Sequence, residues 1–435
     1  MTTETAPPAA KRVPSERTHH GDTVVDEYAW LAAKDDPETI AYLTAENEYT
    51  DARTAHLAEL RAELFEETRR RTRETDLSVP TRRAGTGTHP DGRGAAVRVQ
   101  CRRAVRDGEV DPPVSTDGAP LDGEEVLLDG NLLAEGHDFF SLGAFDVSPD
   151  GRWLAYSTDF SGDERFTLRV KDLTTGELLP DEVPDTFYGT AWSTDASVLF
   201  YVTVDDAWRP NRVWRHVVGS AAADDVVVHQ EDDERFWVGV ELTRSEKFIL
   251  IDVHSKVTSE VLVIPASNPT GAPAVIAPRR QGIEYAVEHH GHRFLILHND
   301  GAEDFALSFT SADVPGDWVP LIEHSPGTRL EAVDAFANHL VVSLRTEGLT
   351  GLRVLPVGSD DTYDIDFPSR CTASGWTPTR STAAGRSACA TRRSSPPTRC
   401  TTSTWSPGRW CCASRSPCYR AGRSAVRPDR VRAAP

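Results

Sequence analysis

Short apolar runs separated by polar turns dominate the chain from about residue 80 to 368, and they recur with a long, regular period. Five runs of six residues begin 45, 50, 46 and 46 residues apart: WLAYST (153–158), VLFYVT (198–203), FILIDV (248–253), FLILHN (294–299) and LVVSLR (340–345). A second strand-like run follows each of them, at 165–170, 211–217, 259–264, 305–309 and 351–355. Antiparallel strand units with a period in the forties are typical of a β-propeller. The strands of a β-sandwich keep no such period.

A sixth, weaker repeat is expected at about 80–140, so the pattern predicts about six blades within 79–368. Its poorest part, RRAGTGTHPDGRGAA (82–96), contains no aromatic residue and no aliphatic residue larger than Ala. Two explanations fit this stretch equally well. It is either a second, self-correcting slip of the reading frame or a long polar loop.

A helical pattern precedes the strands. Asp36 and Pro37 combine a capping acid with a proline in the first turn, and no further Pro or Gly occurs before Pro80. Apolar residues at helical spacing follow: Ile40, Leu43, Leu57, Leu60, Leu64 and Phe65. We therefore predict an N-terminal arm and helical segment over 1–78, which packs as a hairpin and does not use its carboxylates in catalysis.

The composition changes abruptly after Pro368. Residues 369–435 contain no Leu, Ile, Phe, Lys or Glu, but they hold 13 Arg, one acidic residue and six of the seven cysteines. Such a segment cannot bury enough apolar surface to offset the entropy lost on ordering, so we predict a disordered tail. Its residue types are those that GC-rich codons encode out of frame. A frameshift is therefore the favoured interpretation, and the propeller is expected to be truncated.

Charge and cysteine content limit the classes of function. The net charge is −20, and residues 1–368 hold 34 basic against 66 acidic residues, which argues against nucleic-acid binding. Cys101 is the one cysteine before the tail, which indicates a reducing compartment. The N-terminus has no apolar signal segment, and no apolar run approaches the 18 residues of a membrane span. We expect a cytoplasmic protein with no membrane or nucleic-acid partner.

Motifs that would carry chemistry are scarce. GxSxG is absent, and the nearest strings, at 385–389 and 422–425, lack the second glycine of a nucleophile elbow. The run from Glu288 to His292 (EHHGH) could chelate a metal, but a hairpin turn is expected there. The run from Glu231 to Glu234 (EDDE) could attract cationic peptides, but a solvated loop between blades is favoured. The tail cysteines form no CxxC pair. The sequence thus assigns no catalytic, cofactor-binding or metal-binding residue.

Four stretches resemble the prolyl oligopeptidase family of serine peptidases, and within it oligopeptidase B most of all. They are HGDTVVDEYAWL (20–31) with AYLTAENEYT (41–50), GHDFFSLGAFDVSPDGRWLAYSTDFSGDERFTLRVKDLTTGE (136–177), WSTDASVLFYVTVDDAWRPNRVWRH (192–216) and EDDERFWVGVELTRSEKFILI (231–251). The resemblance covers about 15–368. It implies a helical N-terminal segment that packs on an α/β-hydrolase domain. It also implies a seven-bladed propeller that admits only short peptides to a Ser-Asp-His triad.

The resemblance also implies a division of labour within the parent protein. Oligopeptidase B-like members cleave after Arg or Lys, so short basic peptides are the expected substrates of the parent. The family's triad follows the propeller, so no catalytic residue can be carried over. The seventh blade and the α/β-hydrolase domain are expected to be absent from this chain. We therefore expect an inactive N-terminal and propeller portion of a serine endopeptidase. The alternative is a non-catalytic propeller scaffold, for which no specific protein partner can be named.

Overall fold

The computed structural model describes residues 6–72, 97–106 and 119–365, together with the backbone of several strands within 76–92 and 372–412. The chain divides into two compact units, residues 1–73 and 74–435. Of the helices among the described residues, none combines the length and the apolar character needed to span a membrane.

The first unit consists of a β-hairpin and two helices. Its elements are β1 (Ser15–His19), β2 (Asp22–Asp26), a 3₁₀ turn (Ala29–Ala32), α1 (Pro37–Thr54), a second 3₁₀ turn (Ala55–Leu57) and α2 (Ala58–Arg71). The Asp36 carboxylate accepts a hydrogen bond of 2.8 Å from the Glu38 N–H, which confirms the predicted cap. The six predicted apolar positions of the helices remain 36% to 65% exposed, so the two helices form as predicted without burying them.

The second unit is a series of antiparallel sheets built from consecutive strands. Blade 1 contains β3 (Asp76–Leu77), β4 (Thr81–Arg83), β5 (Thr86–Gly92), β6 (Val99–Ala104) and β7 (Glu124–Asp129), and a short helix, α3 (Gly130–Ala134), follows it. Blades 2 and 3 share one sheet of β8 (Ser141–Val147), β9 (Trp153–Asp159), β10 (Phe166–Asp172), β11 (Leu178–Trp192), β12 (Val198–Val204), β13 (Pro210–Val217) and β14 (Val226–Gln230), with a 3₁₀ turn (Ala222–Asp224) before β14.

Blades 4, 5 and 6 each contain four strands. Blade 4 has β15 (Trp237–Leu242), β16 (Phe248–His254), β17 (Ser259–Pro265) and β18 (Ala274–Val275). Blade 5 has β19 (Tyr285–His290), β20 (Arg293–His298), β21 (Ala306–Ser311) and β22 (Val319–Ile322). Blade 6 has β23 (Thr328–Phe336), β24 (His339–Thr346), β25 (Leu349–Pro356) and β26 (Tyr363–Asp364).

The long strand β11 joins blades 2 and 3 because its two halves pair with different neighbours. Residues 178–186 pair with β10, and residues 186–192 pair with β12. Between these halves, Gly189 has a φ of +99°, and a Cβ at this position would lie 2.9 Å from the Val240 carbonyl oxygen of β15. Only glycine allows β11 to pass this close to the next blade.

The first strand of each blade lies innermost. The second half of β11 contacts β15, and β19 contacts β23, as expected when blades are arranged around an axis. Apolar side chains fill the spaces between neighbouring blades; the largest cluster combines Phe200 and Val202 of blade 3 with Ile249 and Ile251 of blade 4. The prediction of a mainly β propeller preceded by a helical segment is therefore confirmed.

The predicted apolar runs correspond to the second and third strands of the blades. The five predicted runs are the second strands of blades 2 to 6, and the runs that follow them are the third strands. A polar loop is the wrong explanation for most of 82–96, because β4 and β5 are paired strands there. Residues 84–85 and 93–96 lie outside the described residues.

The tail differs from its prediction where the backbone is described. Strands β27 (Thr372–Trp376), β28 (Ala388–Arg393), β29 (Thr401–Ser406) and β30 (Arg409–Cys412) form one antiparallel sheet. Ladder hydrogen bonds join backbone groups and do not depend on aliphatic side chains, which is why composition alone does not predict this pairing. The rest of 369–435, including the string at 422–425, lies outside the described residues.

Candidate functional site

Two serine hydroxyls among the described residues lie within hydrogen-bonding distance of a histidine ring. Ser245 Oγ is 2.8 Å from His289 Nδ1, and Ser308 Oγ is 2.9 Å from His298 Nε2. Both histidines and Ser308 are buried, and within the described residues no carboxylate is hydrogen-bonded to either ring. Burial lowers the pKa of both histidines, that of His289 to about 4. A serine nucleophile needs an oriented base and access to substrate, so neither pair forms a catalytic site.

The histidine-rich run at 288–292 forms the hairpin turn that the sequence predicts. Strand β19 ends at His290 and β20 begins at Arg293. His289 points into the blade, where its ring lies 4.7 Å from the ring of Phe248 and 5.6 Å from that of Phe294. Across the part of the chain that the structure describes, no three His, Cys, Asp or Glu side chains are grouped so that they could hold a metal ion.

The acidic run at 231–234 lies between blades 3 and 4, as predicted, but the prediction of a solvated loop is wrong for Glu231. This side chain is buried, and its carboxylate accepts a 2.6 Å hydrogen bond from Arg279 Nη2. Arg279 also donates to Glu260 at 2.9 Å and lies 4.2 Å from the centre of the Phe236 ring. Arg279 supplies the positive charge that allows a carboxylate to be buried here.

Three carboxylates lie together on the inner strands of blades 4 and 5, and we call Glu241, Asp252 and Glu288 the inner acidic cluster. Glu241 pairs with Leu250 across β15 and β16, so Asp252 is its diagonal neighbour on the same face. Burial, and then the negative charge of Glu241, raise the pKa of Asp252. Burial also raises the pKa of Glu288 to about 7, although backbone N–H groups of His289 and Arg244 and the charge of Arg244 oppose this rise.

One cation beside this cluster connects three blades. Arg244, which follows β15, is mostly buried, and its guanidinium forms an ion pair with Asp334 of blade 6. Its backbone N–H lies 3.2 and 3.3 Å from the two carboxylate oxygens of Glu288 in blade 5. Its guanidinium carbon is 4.6 Å from the centre of the Phe336 ring. We call Arg244, Glu288, Asp334 and Phe336 the Arg244 latch.

The inner acidic cluster and the Arg244 latch together form a charged region that acts through electrostatic attraction and repulsion. Arg244 forms an ion pair with Asp334, and the three carboxylates of the inner acidic cluster lie on neighbouring strands of blades 4 and 5. Acidic groups therefore outnumber basic ones here, which favours cations over polyanions. These carboxylates are difficult to group from the sequence because they lie up to 93 residues apart. A usable signal was present, since Glu241, Glu288 and Asp334 are spaced by 47 and 46 residues, close to the period of the blades.

The architecture and the residues that build it match one family. Residues 7–384 match the family model described as the N-terminal β-propeller domain of prolyl oligopeptidase. The chain belongs to the prolyl oligopeptidase family. The resemblance inferred from the four sequence stretches is therefore confirmed, and the match extends past Pro368.

Named relatives within the prolyl oligopeptidase family align along most of the chain. Dipeptidyl aminopeptidase BI of Pseudoxanthomonas mexicana is 38% identical over 374 residues, which cover 83% of this chain and 51% of that protein. Protease 2 of Moraxella lacunata is 32% identical over 364 residues, with 83% and 52% covered. The chain thus spans about half the length of these curated relatives.

Solved structures agree with this assignment. Oligopeptidase B from Leishmania major superposes with a TM-score of 0.83 at 25% identity, covering 94% of this chain and 60% of that one. Oligopeptidase B from Trypanosoma brucei superposes with a TM-score of 0.80 at 26% identity, covering 91% and 58%.

Proposed function

We propose that this chain is the N-terminal and propeller portion of an oligopeptidase B-like serine peptidase, in which the propeller restricts access to the active site. The observation that carries the proposal is the extent of the alignment. The 374 residues aligned with dipeptidyl aminopeptidase BI account for 51% of that protein, and the family's propeller model matches residues 7–384 of this chain. In this proposal the serine, aspartate and histidine of the triad belong to the part of the relatives that the alignment does not reach.

The proposed substrates are short peptides that contain Arg or Lys. Two features of the described residues support this choice. The inner acidic cluster places three carboxylates on β15, β16 and β19, and the chain as a whole carries a net charge of −20. A field of this sign raises the local concentration of cationic peptides and speeds their association. We also propose a cytoplasmic location, since Cys101 is the one cysteine among the first 368 residues, which favours a reducing compartment.

The first experiment measures whether the chain by itself hydrolyses peptides. Purified chain is incubated with a short peptide that carries a fluorogenic group after Arg, and separately with a serine-directed fluorophosphonate label. We expect no turnover and no labelling, because both histidines and Ser308 are buried and, within the described residues, neither ring is hydrogen-bonded to an orienting acid. Oligopeptidase B from Leishmania major serves as the positive control. Turnover that the label abolishes would show that the chain has its own active site and would overturn this part of the proposal.

The second experiment tests the electrostatic role of the inner acidic cluster. Fluorescence anisotropy compares a labelled Arg-rich tetrapeptide with its Glu-rich counterpart at low and high salt. We expect the Arg-rich peptide to bind more tightly at low salt, and the paired substitutions E241Q and E288Q to weaken this binding severalfold. The matched control is E303Q, which removes an exposed carboxylate outside the cluster. Equal weakening by the control would mean that only the overall charge matters.

We also propose that the composition after Pro368 results from a change of reading frame. The nucleotide sequence tests this directly. Translation of the other two frames beyond codon 368 should yield strand-like repeats and then a serine flanked by glycines. Early stop codons in both frames would refute the frameshift without affecting the assignment to the family.

A further inference from the structure

A cavity of about 300 Å³ lies between blades 5 and 6, and its lining residue Leu295 is the cross-strand partner of Glu288 in the inner acidic cluster. Four leucines from four different strands contribute to its lining: Leu295, Leu321, Leu340 and Leu355. Leu295 and Leu340 are almost completely buried, whereas Leu321 is 38% exposed, so the apolar lining extends from the core to the surface. Its volume lies at the lower end of the range for small-molecule sites, which is about 300–1,000 Å³.

Cationic and hydrogen-bonding groups enter this cavity from one hairpin. His290 and Arg293 are cross-strand partners at the turn between β19 and β20, and both line the cavity. The Arg293 guanidinium carbon lies 4.6 Å from the centre of the Phe309 ring. Within the described residues Arg293 forms no ion pair, although the chain has a large excess of carboxylates. Its five N–H donors are suited to a carboxylate brought by a ligand.

A loop after β25 contributes the opposite charge. Asp360 lines the cavity together with Ser359 and Thr362, and all three are exposed at its mouth. Gly358, with a φ of +79°, provides the turn that leads into this loop. The cavity therefore combines a cation, an anion and an apolar wall within a volume of a few hundred cubic ångströms.

We propose that this cavity binds a short, free peptide with apolar side chains, such as a leucyl dipeptide. Arg293 pairs with the terminal carboxylate, with His290 beside it, and Asp360 pairs with the terminal ammonium group. The four leucines bury the apolar side chains, which favours binding by roughly 25 cal/mol for each square ångström removed from water. The proposal is independent of the proposed peptidase function, because it concerns binding without hydrolysis, and no member of the two Ser–His contacts lines the cavity.

Isothermal titration of the full chain with leucyl-leucine tests the proposal. We expect saturable 1:1 binding, and weakening of about tenfold or more in R293Q, because a charge-assisted hydrogen-bonded pair is lost. The matched control is R329Q. Arg329 also lies over an aromatic ring, 4.5 Å from the centre of Phe305, but it does not line the cavity. Thermal unfolding of both variants checks that they are folded.

Ligand variants separate the three contacts. Leucyl-leucine amide should lose most of its affinity, and glycyl-glycine should bind far more weakly than leucyl-leucine. D360N should weaken leucyl-leucine but leave N-acetyl-leucyl-leucine unchanged, because the acetylated peptide has no ammonium group to pair with Asp360. The proposal is overturned if wild-type chain shows no saturable binding. It is equally overturned if R293Q and R329Q behave alike, or if glycyl-glycine binds as well as leucyl-leucine.

Discussion

Replacing His216 by Gln should destabilise the propeller and change how its stability depends on pH. His216 lies in β13 and its side chain is fully buried, with Nε2 2.6 Å from Asp181 Oδ1 and Nδ1 2.8 Å from Asp225 Oδ1. Burial by itself lowers the pKa of His216, but the hydrogen bonds and charges of the two aspartates outweigh burial and raise it above the ordinary value of 6.5. Each ring nitrogen faces a carboxylate oxygen, so an imidazolium, which donates from both nitrogens, is the form that satisfies both contacts between blades 2 and 3.

The size of the effect follows from burial. Both aspartates are only 1% exposed, and each also accepts one neutral hydrogen bond, Asp181 from the Gly219 N–H and Asp225 from the Tyr201 hydroxyl. A Gln amide carries no charge, so it leaves both buried carboxylates without a countercharge. Removing one member of such a buried set costs about 3–5 kcal/mol. With a urea m-value of about 3 kcal/mol/M, the unfolding midpoint should fall by roughly 1 to 1.7 M.

The pH dependence has a definite sign. A histidine whose pKa rises on folding stabilises the fold fully below its unfolded pKa, and this contribution is lost as the pH rises through the folded pKa. The wild-type midpoint should therefore fall as the pH rises above the ordinary histidine value of 6.5, and H216Q should lack this part of the fall. H254Q, which removes an exposed histidine at the end of β16, is the control. The reasoning is refuted if H216Q and H254Q show equal midpoints and equal pH dependence, because His216 would then be neutral or energetically unimportant.

Three further predictions concern the latch and the path of β11. R244M should cost about 3 kcal/mol because it leaves Asp334 without its buried partner, and D334N in the same chain should restore most of the loss in urea unfolding. E288Q should raise the midpoint of urea unfolding at pH 8 but not at pH 5. The reason is that the pKa of the Glu288 carboxyl rises to about 7 on folding, so its stabilising contribution is lost as the pH rises through that value. An equal effect of E288Q at both pH values would contradict this reasoning. G189A should lower the free energy of unfolding by about 1–3 kcal/mol more than G176A does. Both glycines have a positive φ, but only a Cβ at position 189 would face a carbonyl oxygen. Equal unfolding midpoints for the two variants would contradict this steric argument.

The sequence predicts those strands whose two faces are both buried. The second strand of blade 4 (β16) reads as FILIDVH, and such a continuous apolar run is visible without an alignment. The first and fourth strands give weaker signals. In β19, buried Tyr285 and Val287 alternate with polar or small residues, and β18 contains only Ala274 and Val275, both exposed. These strands are specified by the neighbours with which they pair, so local patterns do not reveal them.

The polar contacts between blades are harder to predict than the strands for a related reason. Arg244 and Asp334 are 90 residues apart, and Arg279 and Glu231 are 48 residues apart. Glu231 looks like part of a solvated acidic run in the sequence, because its cationic partner is contributed by the next blade. Charge patterns indicate how many carboxylates a surface has, but only the arrangement of the blades determines which of them are paired.

The apolar layers between neighbouring blades resemble one another, whereas the charged contacts differ from one boundary to the next. The charged contacts can therefore distinguish one blade boundary from another. Aliphatic clusters of similar composition lie between blades 3 and 4, 4 and 5, and 5 and 6. By contrast, an imidazolium between two aspartates joins blades 2 and 3, an arginine shared by two glutamates joins 3 and 4, and Arg244 connects 4 with 5 and 6. Apolar layers are tolerant of exchange, whereas a buried charge paired with the wrong neighbour is strongly disfavoured. We infer that the aliphatic layers supply most of the cohesion and that the charged contacts fix which blade follows which. The R244M and D334N cycle measures this for one boundary, since recovery in the double variant separates the cost of an unpaired charge from any loss of apolar packing.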